Sequence, residues 1–397
     1  MELGLVGKPN VGKSTFFSAA TLAPAEAANY PFTTIEANRG IGYVRVPCPH
    51  VELGLEGCDP NNAPCRDGIR WVPVELVDVA GLVPGAHEGK GLGNKFLDDL
   101  RQAAALVHVV DAAGATNAEG EPVDPGTHDP SLDVDFLTDE VERWFKGILW
   151  RDFDRAARRI DAEGLKVDEM IHDRLSGLGV AHPHVVAALR ETQLNQKAIK
   201  QWTEEDALDL ARAIRRHARP VMVAANKADL ATDEQLSGLK EASPDPVLPT
   251  AADAELALRR ADDAGLIDYD PGADSFEITG ELAGPQEKGL SIIQEKVLDR
   301  FGTTGVQDVL EHGVFQVLDR IAVFPVEDES HFADGAGNVL PDVYLVPRGT
   351  TAEQMAFRVH TDIGEGFIRA VDAKSKRTVG ADHELQHGDV IRIVSKG

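Results

Sequence analysis

The chain has few of the features that would place it in or across a membrane, and little lysine. No apolar run approaches the roughly 20 residues needed to cross a bilayer, so no membrane partner is expected. The sequence opens directly on strand-like residues, and a cytoplasmic location is the expectation. There are 15 lysines against 25 arginines, and 66 acidic residues against 40 basic ones, for a formal charge of -26. Such a surface repels nucleic acid wherever its acidic face is turned toward it. It also suits a cytoplasm of high salt, in which case stability should rise from low to molar KCl. Cysteine is confined to Cys48, Cys58 and Cys65, with no CxxC pair. Internal repeats and low-complexity tracts are absent. At 397 residues the chain has room for roughly two to three domains.

The acidity is uneven. Residues 139–219 hold 15 Lys+Arg and 15 Asp+Glu and net zero, so the rest of the chain carries the whole deficit.

The strongest local signal is GKPNVGKST, comprising Gly7, Lys8, Pro9, Asn10, Val11, Gly12, Lys13, Ser14 and Thr15. It lies between a strand-like run ending at Val6 and a helix-like run from Ser14 to Ala20. Glycines at both ends of such a loop let backbone NH groups curl around phosphates as the helix begins. Lys13 places a positive charge on the outer phosphates, and the Ser14 hydroxyl is positioned for a bridging magnesium ion. After a second buried strand, Val72 to Asp78, comes DVAG. Asp78 would hold magnesium through water, and the Gly81 amide would touch the γ-phosphate. Between these motifs, YPFTTI offers Thr33 and Thr34, of which Thr34 is preferred to complete the magnesium shell.

Ala105 to Asp111 also reads as a buried strand, and NKAD follows a further one, Val221 to Ala225. The Asp229 carboxylate can accept two hydrogen bonds from guanine N1 and N2, a donor pair that adenine lacks. Asn226 is expected to bond the base and the neighbouring loop, while the Lys227 stem covers the ring face. The loop Thr250 to Ala252 is expected to bring the backbone amides of Ala251 and Ala252 toward the base. GTP and GDP are therefore the expected ligands.

Alternating strands and helices over 1–137 and 220–305 predict a doubly wound P-loop α/β sheet as the nucleotide domain. Residues 112–131 read as a long polar loop. From 138 to 219 apolar residues recur at helical spacing (Phe145, Leu149, Phe153, Ala156, Ile160), which predicts a helical insertion closed by Pro220. Residues 306–397 read as a small α+β module, with strands near Arg320–Val326 and Val390–Val394, a turn at Asp334–Asn338 and a helical stretch near 351–362.

GKPNVGKST, YPFTTI, DVAGLVPGAHEGKGLGNKFL (Asp78 to Leu97) and NKAD, with helices inserted before NKAD, resemble the Obg-related GTPases, specifically the YchF-like branch. VLPD (Val339 to Asp342), the His360–Ile363 helix end and HGDVIRIV (His387 to Val394) resemble the TGS domain, a β-grasp module. The resemblance implies a helical coiled-coil insertion, ribosome or ribosomal-RNA association, and hydrolysis without the usual glutamine. Leu82 follows Gly81, and a leucine can orient no water, so slow intrinsic turnover is expected. Asn10 is similar to the asparagine that binds potassium in related GTPases, which implies potassium stimulation; alternatively it only favours the turn. Lys13, Asn10, Thr34 and Gly81 are thus the expected catalytic group. Two rival readings are an ATPase of the same architecture and a ribosome- or RNA-binding scaffold with incidental hydrolysis. The oligomeric state is open, with a monomer as the working expectation.

Weaker signals complete the reading. Cys48, His50, Cys58 and Cys65 could close a tetrahedral zinc site, or the thiols could simply be reduced side chains of a loop. His87 reads as a solvent-facing loop residue near the γ-phosphate. Arg155, Arg158, Arg159, Arg212, Arg215, Arg216 and Arg219 would either meet RNA phosphates or pair with acids on a solvated helix. Lys374, Lys376 and Arg377 invite the same two readings.

Overall fold

A computed structural model describes residues 2–22, 39–79 and 102–396. Thr33, Thr34, Gly81, Leu82 and His87 lie outside the described residues, as does YPFTTI. The strands in chain order are β1 (Glu2–Val6), β2 (Arg39–Pro47), β3 (Cys65–Arg66), β4 (Ile69–Asp78), β5 (Ala105–Asp111), β6 (Val221–Asn226) and β7 (Val247–Pro249). The hairpin β8 (Ile267–Asp268) and β9 (Glu277–Ile278) follows. A second group then comprises β10 (Arg320–Val326), β11 (Tyr344–Pro347), β12 (Phe367–Asp372), β13 (Arg377–Val379) and β14 (Asp389–Ser395).

The chain divides into two compact units. In the first (1–19, 37–39 and 75–309), strands run in the order β4-β1-β5-β6-β7, every neighbouring pair parallel. β5 (ALVHVVD) and β6 (VMVAAN) are buried at every residue. A strand covered on both faces needs such a continuous apolar run rather than alternation, which is why these two segments were legible as strands. Parallel order also puts every strand's C-terminal end, and the loop after it, on one edge of the sheet.

The predicted helical insertion is present, but it starts earlier and is broken. Its first helix runs Ser131–Trp150 and is followed by Phe153–Glu163, Val167–Leu175, His182–Glu191 and Glu204–Ala218. The break at Asp152, which takes a left-handed φ of 51°, shifts the apolar phase, so Ala157 is buried where the unbroken spacing favoured Ala156. The helices pack as a bundle around Phe145, Leu149, Ile171, Leu175, Val185 and Ile214, a core continuous with Val6, Val77 and Leu106 of the sheet. The helix Glu204–Ala218 is well delimited. The Thr203 hydroxyl accepts from the Asp206 amide, acids fill the first turn, and Arg215, Arg216 and His217 fill the last.

The second unit contains residues 20–36, 40–74 and 310–397. Residues 40–74 were expected in the nucleotide domain. They cluster instead with the C-terminal module, carrying β2, the β3–β4 hairpin and the first part of β4. The boundary falls at 309/310 rather than 306. The C-terminal sheet has the order β11-β10-β14-β12-β13, with the parallel pair β10/β14 at its centre and antiparallel neighbours outside it. The helix Ala352–Val359, capped by Thr351, buries Met355 among Ile321, Val346 and Ile391.

Candidate nucleotide-binding site

The loop after β1 is shaped by residues whose backbones fit it. Gly12 takes φ +93°, and a Cβ there would lie 2.2 Å from Asn226 Nδ2, so glycine alone fits. Asn10 sits at φ 62°, a left-handed conformation that asparagine tolerates. Its Nδ2 donates to the Gly120 carbonyl at 2.8 Å. The chain then enters the helix Lys13–Thr21, whose first ladder bond runs from the Phe16 amide to the Gly12 carbonyl at 2.8 Å. The amides before Phe16 have no intrahelical acceptor, the arrangement that can receive an anion. Ser14 is exposed at this end. The Lys13 ammonium donates to Asp78 Oδ1, bringing the motif's candidate phosphate cation and the candidate magnesium carboxylate to one point.

Lys8 behaves differently from its neighbours. Its side chain is buried and turns inward, donating to the Thr116 carbonyl at 2.9 Å and pairing with Asp133 at 2.7 Å. Only its backbone is left for phosphates. His128 Nε2 meets the same Asp133 at 3.0 Å. Beside them, burial first and the Lys8 ammonium second push His108 down to about 3, so this imidazole is neutral.

Sequence reading missed the residue that ties the loops together. Asp111, at the end of β5 and 1% exposed, accepts from Lys227 Nζ at 2.7 Å, from the Ala113 amide at 3.1 Å and from the Thr116 hydroxyl. An aspartate closing a wholly buried strand that is apolar but for His108 was the available signal. The 112–131 loop, read as too polar to pack, is held by these bonds and by Asn10, and Ala112, Ala113 and Thr116 are buried.

The NKAD side chains divide their work in an unexpected way. Asn226 Nδ2 donates to the Val11 carbonyl at 2.9 Å, and its Oδ1 accepts from the Ala252 amide at 3.0 Å. It therefore joins the phosphate loop to the loop after β7. Lys227, at φ 58°, donates to the Asn10 carbonyl at 3.0 Å as well as to Asp111. The Ala251 amide is already taken by the Thr304 carbonyl at 2.8 Å. Neither expected alanine amide is thus offered to a base: where the loop turns into the helix Ala252–Asp263, the Ala251 amide donates to Thr304 and the Ala252 amide to Asn226. Asp229 is the one NKAD side chain not engaged with the other loops, and it stays the candidate for reading a base. It is half-buried, and among the described residues its only hydrogen-bond donor is its own amide. Burial raises its pKa, and Asp253 adds to the rise. Arg300 braces the loop from below, donating to the Ala228 and Ala231 carbonyls at 3.1 and 3.0 Å.

The arginines offered for RNA contact are mostly occupied. Arg215 is 1% exposed between Glu142 (3.5 Å) and Asp245 (3.4 Å), and Arg219 is buried on the Leu178 carbonyl at 2.6 Å. Arg212 pairs with Glu142, Arg216 with Glu191 and Arg159 with Glu163. Arg155 and Arg158 remain exposed. In the C-terminal module, Lys374 meets Glu52 at 2.5 Å and Lys376 lies over the Phe332 ring at 4.5 Å. The four candidate zinc ligands come together in the second unit, within 4.8 Å of one another.

Comparison with known proteins agrees with this geometry. Residues 2–131 match the model of the 50S ribosome-binding GTPase family, residues 224–328 the G4 motif-containing domain of Obg-like YGR210-like GTPases, and residues 336–395 the TGS domain. The chain is 50% identical to a GTP-binding protein of Methanocaldococcus jannaschii over 397 residues, covering 99% of this chain and 98% of that one. It superposes on the crystal structure of a GTP-binding protein from Pyrococcus horikoshii with a TM-score of 0.80, at 44% identity and full coverage of both chains. It is 28% identical to the ribosome-binding ATPase YchF of Escherichia coli over 424 residues, covering 99% of this chain and 98% of the relative. A nucleotide-shaped loop cluster on a parallel sheet, a TGS domain and end-to-end likeness to such relatives lead to one assignment: the chain belongs to the Obg/YchF-like family of P-loop GTPases.

Proposed function

We propose that this site binds GTP in preference to ATP, hydrolyses it slowly with magnesium, and uses the bound nucleotide to govern attachment to the ribosome. The observation that carries the reading is Asp229, a half-buried carboxylate supplied with no donor by any other described residue, in the turn that follows the strand Val221–Asn226. Guanine N1 and N2 satisfy it, whereas adenine leaves it unpaired. The relative named as an ATPase supports the rival preference, while the more similar M. jannaschii and P. horikoshii proteins carry GTP-binding names.

The loop from Gly7 to Thr15 surrounds the phosphates with its amides, and Lys13 places its charge on the outer pair. The residues present fit a magnesium ion: an exposed serine hydroxyl and a strand-end carboxylate are hard oxygen donors. Ser14, Asp78 and Thr34 would hold it. Magnesium held there would supply neutralisation of the charge on the outer phosphates. Moving Lys13 from Asp78 onto the phosphates frees that carboxylate for the metal side of the site. Asn10, whose amide nitrogen is committed to Gly120, has its Oδ1 left as a candidate potassium ligand, and turnover is expected to be faster in KCl than in NaCl. Gly81 would supply an amide to the γ-phosphate.

The family models and the bacterial relative's name support the ribosome as partner. No helix among the described residues is long and apolar enough to cross a membrane. The cytoplasm and a monomeric state complete the reading. Single-turnover phosphate release with and without magnesium, together with ribosome pelleting in GDP and in a non-hydrolysable GTP analogue, tests it. Magnesium-dependent release and pelleting that differs between the two nucleotides are expected. Release that ignores magnesium, or equal pelleting, would refute it.

A further inference from the structure

Residues 48–70 contain a second chemical centre that the nucleotide reaction does not use. Cys48 sits just before the short helical turn Pro49–Glu52, which carries His50. Cys58 lies in the irregular stretch 53–64, and Cys65 opens the tight β3–β4 hairpin, whose turn is Asp67 (φ 48°) and Gly68 (φ 82°). The Cys48 and Cys58 sulfurs are 3.8 Å apart, and the Cys65 sulfur is 3.9 Å from His50 Nδ1. With Zn–S bonds of about 2.3 Å and a Zn–N bond of about 2.0 Å, the edges of a tetrahedron are about 3.8 Å for S···S and about 3.5 Å for S···N. The observed pairs fall at or slightly outside those edges, and all four ligand atoms lie within 4.8 Å of one another.

Arg70 stands opposite Cys65 in the hairpin and is 0% exposed. It donates through Nε to the Cys48 sulfur at 3.4 Å and through its other nitrogens to the carbonyls of Ala63, Leu340 and Pro341. It makes no ion pair with any described carboxylate. A guanidinium removed from water in this way needs an anion nearby. A zinc ion with three thiolates and one neutral imidazole carries a net charge of -1, which Arg70 neutralises.

We propose that Cys48, His50, Cys58 and Cys65 bind one zinc ion in a closed structural site that fastens the 53–64 loop, through Cys58, to the Pro49–Glu52 turn and the β3–β4 hairpin. Binding releases three thiol protons to solvent and leaves no open coordination position, so the centre is not catalytic. The loop it would fix makes an extended set of bonds within the same unit. Asp59 N donates to the Val339 carbonyl at 2.8 Å, Asn61 N to the Pro341 carbonyl at 2.7 Å, and the Asn62 side chain exchanges bonds with Val343 at 2.9 and 3.0 Å. Twelve residues without helix or strand need such an anchor to hold one register.

The test measures metal in the untagged, reduced full-length protein after incubation with zinc and gel filtration. X-ray absorption, cobalt substitution and hydrogen exchange accompany it. About one zinc per chain with a three-sulfur, one-nitrogen shell, falling to below about a tenth in Cys58→Ser and Cys65→Ser, is the expected result. A cobalt derivative should give the thiolate charge-transfer band, and chelation should raise exchange at 53–64 and 339–343 while leaving the phosphate loop unchanged. GTP affinity should survive in the cysteine variants, so failure here is distinct from failure of the nucleotide reading. Zinc-free wild-type protein, zinc retained by both serine variants, or a Cys48–Cys58 disulfide in place of metal would overturn the proposal.

Discussion

Replacing Lys227 with methionine should damage the protein more through Asp111 than through any lost contact with a nucleotide base. Asp111 is 1% exposed and pairs with Lys227 at 2.7 Å. Removing one partner of a buried ion pair costs about 3–5 kcal/mol, because the surviving charge is left in a poor solvent. The Thr116 hydroxyl and the Ala113 amide still donate to Asp111, which places the expected loss at the lower end, about 3 kcal/mol. For a unit of this size that is a fall of roughly 6–12 °C in melting temperature. The methionine also loses the bond to the Asn10 carbonyl, so nucleotide affinity should fall with stability. Thermal unfolding of Lys227→Met, Asp111→Asn and the double variant measures this. Removing the stranded charge should recover about 2 kcal/mol of the single variant's loss. A Lys227→Met protein within about 0.5 kcal/mol of wild type, or a double variant whose loss is the sum of the singles, would refute the argument.

Asp229→Asn should weaken GTP by about 10²–10⁴-fold, since two hydrogen bonds to a charged acceptor are worth about 1.5–3 kcal/mol each. It should strengthen xanthosine triphosphate, whose 2-carbonyl accepts from the new amide, as a competition assay would reveal. The raised pKa of Asp229 has a definite sign. As pH falls, this carboxylate protonates before an ordinary aspartate and loses an acceptor, so GTP affinity should decline in mild acid in the wild type, with that component missing from Asp229→Asn. Gly12→Ala places a methyl group 2.2 Å from Asn226 Nδ2 at φ +93°, and isothermal titration should find no measurable nucleotide binding by a protein that remains folded.

Much of the site was legible because its chemistry constrains the backbone. Gly12 must be glycine, and a five-residue apolar run such as Val221–Ala225, opened by Pro220 and closed by NKAD, is too short for a buried helix and reads as a strand, so motif and sheet locate each other. The polar interior was less legible, since a side chain's partner depends on tertiary packing. Lys8 and Lys13 sit in the same motif, yet one turns inward to Asp133 and the other outward to Asp78. Arg215 and Arg216 are adjacent, but only Arg215 shares the helical face of Ala211 and Ala218, and it is the buried one. That spacing was in the sequence and would have identified it. Nothing in local periodicity could join residues 40–74 to the C-terminal module, because the bonds from Asn61 and Asn62 to Pro341 and Val343 span about 280 residues.

The account rests on Asp229 selecting guanine while the loop from Gly7 to Thr15 holds the phosphates. Displacement of a fluorescent GTP analogue from the full-length protein by unlabelled GTP and by ATP, in magnesium and KCl, tests that most directly. GTP should compete at least about 100-fold more strongly than ATP, the margin set by leaving a charged acceptor unpaired. Equal competition by the two purines would contradict it.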